Sequence, residues 1–189
     1  MENNLVKIYR SKKSVLSIND LAILMSERNG DNLKAKIYYY VKKGYLSRLR
    51  RGFYIKDKEF NERELATKIF TPSYISFETV LAQEGMTFQY YSSIFVASYL
   101  SRDIKVGDQR ISYRKMKKSV LLNRAGLVNK GPYFEATMER AFLDTIYLQG
   151  EIYFDNVDNL DWNKVFELVK IYKNKDMERR VKKMRGKYD

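Results

Sequence analysis

The chain has no cysteine and no histidine in its 189 residues. Without cysteine, disulfides, zinc ribbons and thiol catalysis are excluded. Without histidine as well, the usual zinc sites and the Ser–His and Cys–His nucleophile pairs cannot be built. Only carboxylates, Lys, Tyr, Ser and Thr remain for acid–base work. No apolar stretch approaches the roughly 20 residues that a membrane span needs. The polar start Met1-Glu2-Asn3-Asn4 carries no secretory signal. A cytoplasmic protein with no membrane partner and no cofactor is expected.

Hydrophobic residues make up 44% of the chain, enough for a packed core. The net charge is +13, from 36 basic and 23 acidic residues. Residues 1–58 hold 14 Lys/Arg and 5 Asp/Glu, net +9, whereas 59–150 and 151–189 are each net +2. Such concentration in the first third points to a nucleic-acid partner for that segment.

Leu5, Ile8 and Tyr9 have helical spacing, ending near Ser11. Ser17 caps a second helix over Ile18, Leu21, Ala22, Leu24 and Met25, closed by Arg28-Asn29-Gly30. Asp31 caps a third, which carries Leu33, Ile37, Tyr40 and Val41 on one face and stops at Gly44. Two extended runs follow, 45–49 and 52–55, joined by the turn Arg50-Arg51-Gly52. Three helices and a hairpin in about 55 residues is the order of a winged helix-turn-helix. The expected fold class is α+β: this domain over 1–58, then a mixed α+β domain over 59–189 with a basic C-terminal helix.

In the second domain, Asn61 and Glu64 form a capping box for a helix through Phe70, which Pro72 ends. Tyr74-Ile75 reads as a strand. Ser76 caps a helix over Phe77, Val80 and Leu81. Runs 93–97 and 110–113 flank a turn at Gly107-Asp108, Val120-Leu121-Leu122 reads as another strand, and Gly131-Pro132 as a turn. Thr137 caps a helix ending at Gly150. Asp161 caps one with Trp162, Val165, Phe166, Val169 and Tyr172. A last helix spans about Asp176 to Met184, with Arg179, Arg180, Lys182, Lys183, Arg185 and Lys187 in the basic tail.

On a helical wheel, Leu33, Ile37, Tyr40 and Val41 turn inward, and Ala35, Tyr38, Tyr39 and Lys42 outward, with Lys34, Lys36 and Lys43 on the flanks. This suits a helix lying in a major groove. Ala35 allows close approach, Tyr38 and Tyr39 reach phosphates or thymine methyls, and the lysines meet the backbone. Arg48, Arg50 and Arg51 sit around the hairpin turn, placed for the backbone or the minor groove. Double-stranded DNA is the expected partner of these ten residues.

The stretch Lys43-Gly44-Tyr45-Leu46…Arg50-Arg51-Gly52-Phe53-Tyr54 is shared with many winged-helix regulators. The segments Pro72-Ser73-Tyr74-Ile75-Ser76-Phe77-Glu78-Thr79-Val80-Leu81 and Ala136-Thr137-Met138-Glu139-Arg140-Ala141-Phe142-Leu143-Asp144 are more specific. With them, nearly the whole chain resembles the AbiEi family of antitoxins from type IV toxin–antitoxin systems. That family often has Pro where this chain has Met138, a position at which Pro only fixes the start of a helix. The resemblance implies binding to inverted repeats in the chain's own promoter, repression of its operon, and opposition to a nucleotidyltransferase-type toxin through the second domain.

Chemistry finds little support in the residues. Glu139 and Asp144 are five apart and do not stack on one helix face, whereas Arg140 and Asp144 are spaced for a salt bridge. Asp103-Ile104-Lys105 is a three-residue match to the end of a metal-dependent nuclease site, with no acidic partner on a preceding strand. A binding protein without catalysis is therefore expected. The alternative is a DNA-processing nuclease with a winged-helix targeting domain.

Overall fold

The computed structural model describes residues 3–150 and 152–188; the start Met1-Glu2 and the side chain of Lys187 lie outside the described residues. The chain divides into two compact units, with the boundary between Lys68 and Ile69. Taken together the elements are mixed α+β.

The first unit runs α1 (Asn4–Arg10), β1 (Val15–Ser17), α2 (Ile18–Met25), α3 (Asp31–Lys42), β2 (Ser47–Arg50), β3 (Phe53–Ile55) and α4 (Glu62–Ile69). Its sheet is antiparallel with order β1-β3-β2. Ser17 starts α2 with a complete capping box. Its hydroxyl accepts from the Asp20 N–H, and the Asp20 carboxylate accepts from the Ser17 N–H at 2.9 Å. Ile8, Leu16, Leu21, Met25, Leu33, Ile37 and Leu46 pack into one core, one or more from each of the first three helices. β1 is a strand that the sequence pattern does not reveal. Three residues between a turn and a helix cap are too few for alternation to show, yet β1 supplies Val15 and Leu16, both fully buried.

The boundary lies ten residues beyond the 58/59 expectation, and Glu64 explains why. Asn61 caps α4 as expected, accepting from the Arg63 and Glu64 N–H groups at 3.0 and 3.1 Å. The Glu64 side chain does not return to close a local box. It reaches the start of β1 and accepts from the Ser14 N–H at 2.9 Å and the Ser14 hydroxyl at 2.7 Å. Lys68, one turn on, pairs with Glu64 at 2.7 Å and with Asp20 at 3.4 Å. These long-range bonds make α4 part of the first unit.

The second unit contains β4 (Ser73–Ile75), α5 (Glu78–Gln83), β5 (Ser93–Ser98), β6 (Arg102–Val106), β7 (Gln109–Lys115), α6 (Lys118–Leu121), β8 (Leu127–Asn129), β9 (Phe134–Ala136), α7 (Met138–Gln149) and α8 (Trp162–Leu168). A 3-10 turn (Val169–Tyr172) and α9 (Lys175–Tyr188) follow. Six strands form one mixed sheet in the order β6-β7-β5-β4-β9-β8. β5 runs parallel to β7 and β4 to β9. α7 is buried on every side through Glu139–Ile146, as a central helix must be.

Three sequence expectations are corrected here. Val120 and Leu121 are helical, in α6: the two neighbours are buried side by side, whereas a strand would turn them to opposite faces. The partner of β7 across Gly107-Asp108 is β6, not β5. β6 is inconspicuous in sequence because Arg102, Asp103 and Lys105 leave only Ile104 and Val106 as apolar residues. The helix from Trp162 stops at Leu168 and tightens into the 3-10 turn.

Candidate nucleic-acid interface

The core fixes how α3 presents itself. Leu33 and Ile37 are buried, and Tyr40 and Val41 are half-buried against the core. Lys34, Ala35, Lys36, Tyr38, Tyr39, Lys42 and Lys43 are exposed. Tyr38 is the barest of the aromatic residues on this helix, at 69%. The first turn differs from expectation: Gly30 is the cap residue, in extended backbone and without a side-chain bond. Asp31 instead sits one position in, beside the positive end of the helix dipole, and pairs with Lys34 at 3.0 Å.

Not all the lysines are free cations. Lys36 is paired with Glu27, from the turn after α2. The Lys43 ammonium lies over the Tyr39 ring, 5.9 Å from its centre. Tyr39 in turn leans on Tyr40, with ring centres 5.9 Å apart. Lys42 and Tyr38 are the groups of this face with no carboxylate or ring partner among the described residues. The Glu27–Lys36 pair is not visible in sequence because nine residues and a helix junction separate the two.

The β2–β3 hairpin stands next along the chain. Arg48 and Arg51 are exposed and Arg50 is half-buried. Arg50 pairs with Phe53, so the turn proper is Arg51-Gly52, with a register slip between Arg48 and Arg50. The Arg48 Nε donates to the Arg50 carbonyl at 3.4 Å across that slip. Gly52 has φ +87°, a conformation that side-chain-bearing residues adopt at a cost. Its carbonyl accepts from the Ile18 N–H at 3.1 Å, which ties the hairpin tip to the start of α2. Arg51 is thereby held on a short, anchored turn, and Arg48 and Arg50 on the strand that leads into it.

The carboxylates of the second unit have other duties. Asp144, fully buried, accepts from Tyr172 at 2.7 Å, Ser76 at 2.8 Å, Tyr74 at 2.9 Å and the Arg140 Nε at 3.3 Å. Arg140, equally buried, also donates to the Val120 and Ala125 carbonyls, both at 2.8 Å, and to the Tyr74 hydroxyl. Burial pushes the Asp144 carboxyl up, against the pull of Arg140 and the three hydroxyls. Burial works to lower the Arg140 pKa but is outweighed by the Asp144 charge, so that pKa is raised. The two phenols are pushed well above their ordinary value, first by burial and then by Asp144. The expected Arg140–Asp144 pair is present, and Tyr74, Ser76 and Tyr172 are the members that sequence reasoning missed. Ser76 is not a helix cap; Phe77, at φ +57°, holds that position.

Asp103 of the short nuclease-like match accepts from the Ser112 hydroxyl at 2.6 Å. Among the described residues no three acidic side chains gather to hold a metal ion, and no helix is long and apolar enough to cross a membrane. Compared with protein-family models and with curated proteins, the chain matches none.

Proposed function

We propose that the first unit is a winged helix-turn-helix that binds duplex DNA, with α3 in the major groove and the β2–β3 hairpin as the wing. The observation that carries this reading is a bare Tyr38–Lys42 face on α3, followed in the same unit by a hairpin that carries Arg48 and Arg50 on β2 and Arg51 in its anchored two-residue turn. Lys42 and the arginines supply phosphate contacts, while Tyr38 and Tyr39 reach base edges past Ala35. Lys34 and Lys36 contribute less than their charge implies, since each already has a carboxylate partner.

In the cell the protein is an antitoxin that represses its own operon at an inverted-repeat operator and counteracts a nucleotidyltransferase-type toxin. The resemblance to the AbiEi antitoxins supports this part. Its two most specific segments supply Tyr74, Ser76, Arg140 and Asp144 to one buried cluster. Those residues hold the scaffold together and are out of reach of any partner, so toxin opposition has to come from the unit's surface. Binding of the full chain to a fluorescent fragment of its own promoter tests the first part. Growth rescue on co-expression with a neighbouring nucleotidyltransferase-like gene tests the second. Equal affinity for promoter and random duplex would remove the repressor reading, and absence of rescue the antitoxin reading.

A further inference from the structure

The basic residues of the second unit are not spread evenly. Residues 102–130 carry nine Lys/Arg against Asp103 and Asp108, whereas residues 69–101 carry no Lys/Arg at all. The β6–β7 hairpin sets two of those cations side by side. Lys105 and Arg110 are directly opposed partners, a placement at which like charges destabilise a sheet. Asp108 relieves this little, at 3.9 Å from Lys105. Among the described residues Arg110 meets no carboxylate. Strand alternation turns Lys105, Arg110, Ser93 and Phe95 to one face, where they line an open groove of about 450 Å³ together with Ser112 and Asp103, whose carboxylate is engaged by the Ser112 hydroxyl.

Phe95 is the aromatic residue of the groove's lining, and the loop before β5 brings a further ring against it. The Phe95 ring stands edge-on to Tyr91 at 5.5 Å, so the loop before β5 runs beside the groove. That loop carries Phe88 and Tyr90, 77% and 92% exposed. It is tied by the bond from the Phe88 N–H to Asp155, at 2.8 Å, to the loop that carries Tyr153, 80% exposed. Bare aromatic rings on the loop that leads into β5, together with Arg110 and a weakly paired Lys105, match the needs of unpaired nucleotides. Phosphates take the cations, and bases, whatever their sequence, stack on the rings. A duplex offers no free base face to the rings, and an acidic peptide uses only the cations.

We propose that this groove and the aromatic loop before β5 bind a single-stranded nucleic acid, at a site separate from the duplex-binding face of α3. The test uses the full chain and a fluorescent mixed-sequence 12-mer, as DNA and as RNA, followed by anisotropy. Lys105→Ala with Arg110→Ala should weaken strand binding at least tenfold and flatten the log–log salt slope by about 0.7 for every phosphate no longer neutralised. Tyr90→Ala should weaken it at least fivefold with the slope unchanged. All three changes should leave thermal stability and promoter-duplex binding intact, and Arg50→Ala with Arg51→Ala should leave strand binding intact. Binding of either sugar form supports the proposal, and a preference for one names the source. The proposal is overturned if neither 12-mer binds, if poly-glutamate competes as well as the oligonucleotide, or if strand affinity follows Arg50 and Arg51 instead.

Discussion

Tyr38 and Asp20 show how single side chains can be tested without disturbing their neighbours. Tyr39 rests against Tyr40 and under Lys43, so its removal mixes packing with recognition. Among the described residues Tyr38 makes no ring contact, and it is largely bare. Tyr38→Ala should cost promoter binding about 1–3 kcal/mol if the ring reads a base edge, and should leave random-duplex binding and melting temperature unchanged. Tyr40→Ala should lower the melting temperature. Asp20 bears on pH. Burial would raise its carboxyl, but bonds from Lys13 and Ser17 and the charge of Lys68 outweigh that and hold it at about 2, below the ordinary 3.8. A depressed carboxylate stabilises the folded form above its unfolded pKa and loses that contribution as pH falls through the folded one. The first unit should therefore weaken in acid across the window from 3.8 down to about 2. Asp20→Asn should be less stable at neutral pH and should show a flatter melting profile across that window, measured by circular dichroism.

The hairpin and α4 carry the predictions that belong to whole elements. Replacing Arg50 and Arg51 by Ala should weaken promoter and random duplex alike and reduce the log–log salt slope by about 0.9 for every phosphate the wing ceases to neutralise. An unchanged slope would remove the hairpin from the interface. For α4, a fragment ending at residue 58 lacks Glu64 and so leaves the Ser14 N–H and hydroxyl without their carboxylate. A fragment ending at residue 72 should melt cooperatively, whereas the shorter one should melt at lower temperature or not fold. Protease should spare the segment around Glu64 in the intact chain. This is where sequence reasoning reaches its limit. The inward and outward faces of α3 and the caps Ser17, Thr137 and Asp161 follow from spacing and local chemistry, and the structure has them. Glu64, Ser76 and Glu27 escape such reasoning because their partners lie 50, 68 and 9 residues away. Strands β1, β8 and β9, of three residues each, are too short to declare a period. Nine of the ten candidate DNA-contact residues are exposed, as spacing and composition lead one to expect, and Arg50 is half-buried; the pairing of Lys34 and Lys36 with carboxylates is not legible in the sequence.

For the molecule as a whole, the buried cluster around Asp144 governs the second unit. Asp144→Asn leaves the Arg140 guanidinium buried without its counter-charge, a destabilisation of about 3–5 kcal/mol. The single tryptophan, Trp162, packs edge-on to Phe142 of α7 at 5.9 Å, so its fluorescence should follow this unit's unfolding. Its denaturant midpoint should fall sharply in the variant while promoter binding by the first unit persists. Gly126 adds a second handle on the same region: at φ +71°, a Cβ there would stand 3.0 Å from Arg140 Cβ and from Leu168 Cδ1. The cluster also constrains how such a chain can drift through generations. Its members come from β4, α7 and the 3-10 turn, with Ser76 just after β4, and each leaves another stranded if changed alone. Descendants should keep positions 74, 76, 140, 144 and 172 unaltered for long periods, then exchange several of them within a short interval for an apolar set, with few surviving intermediates.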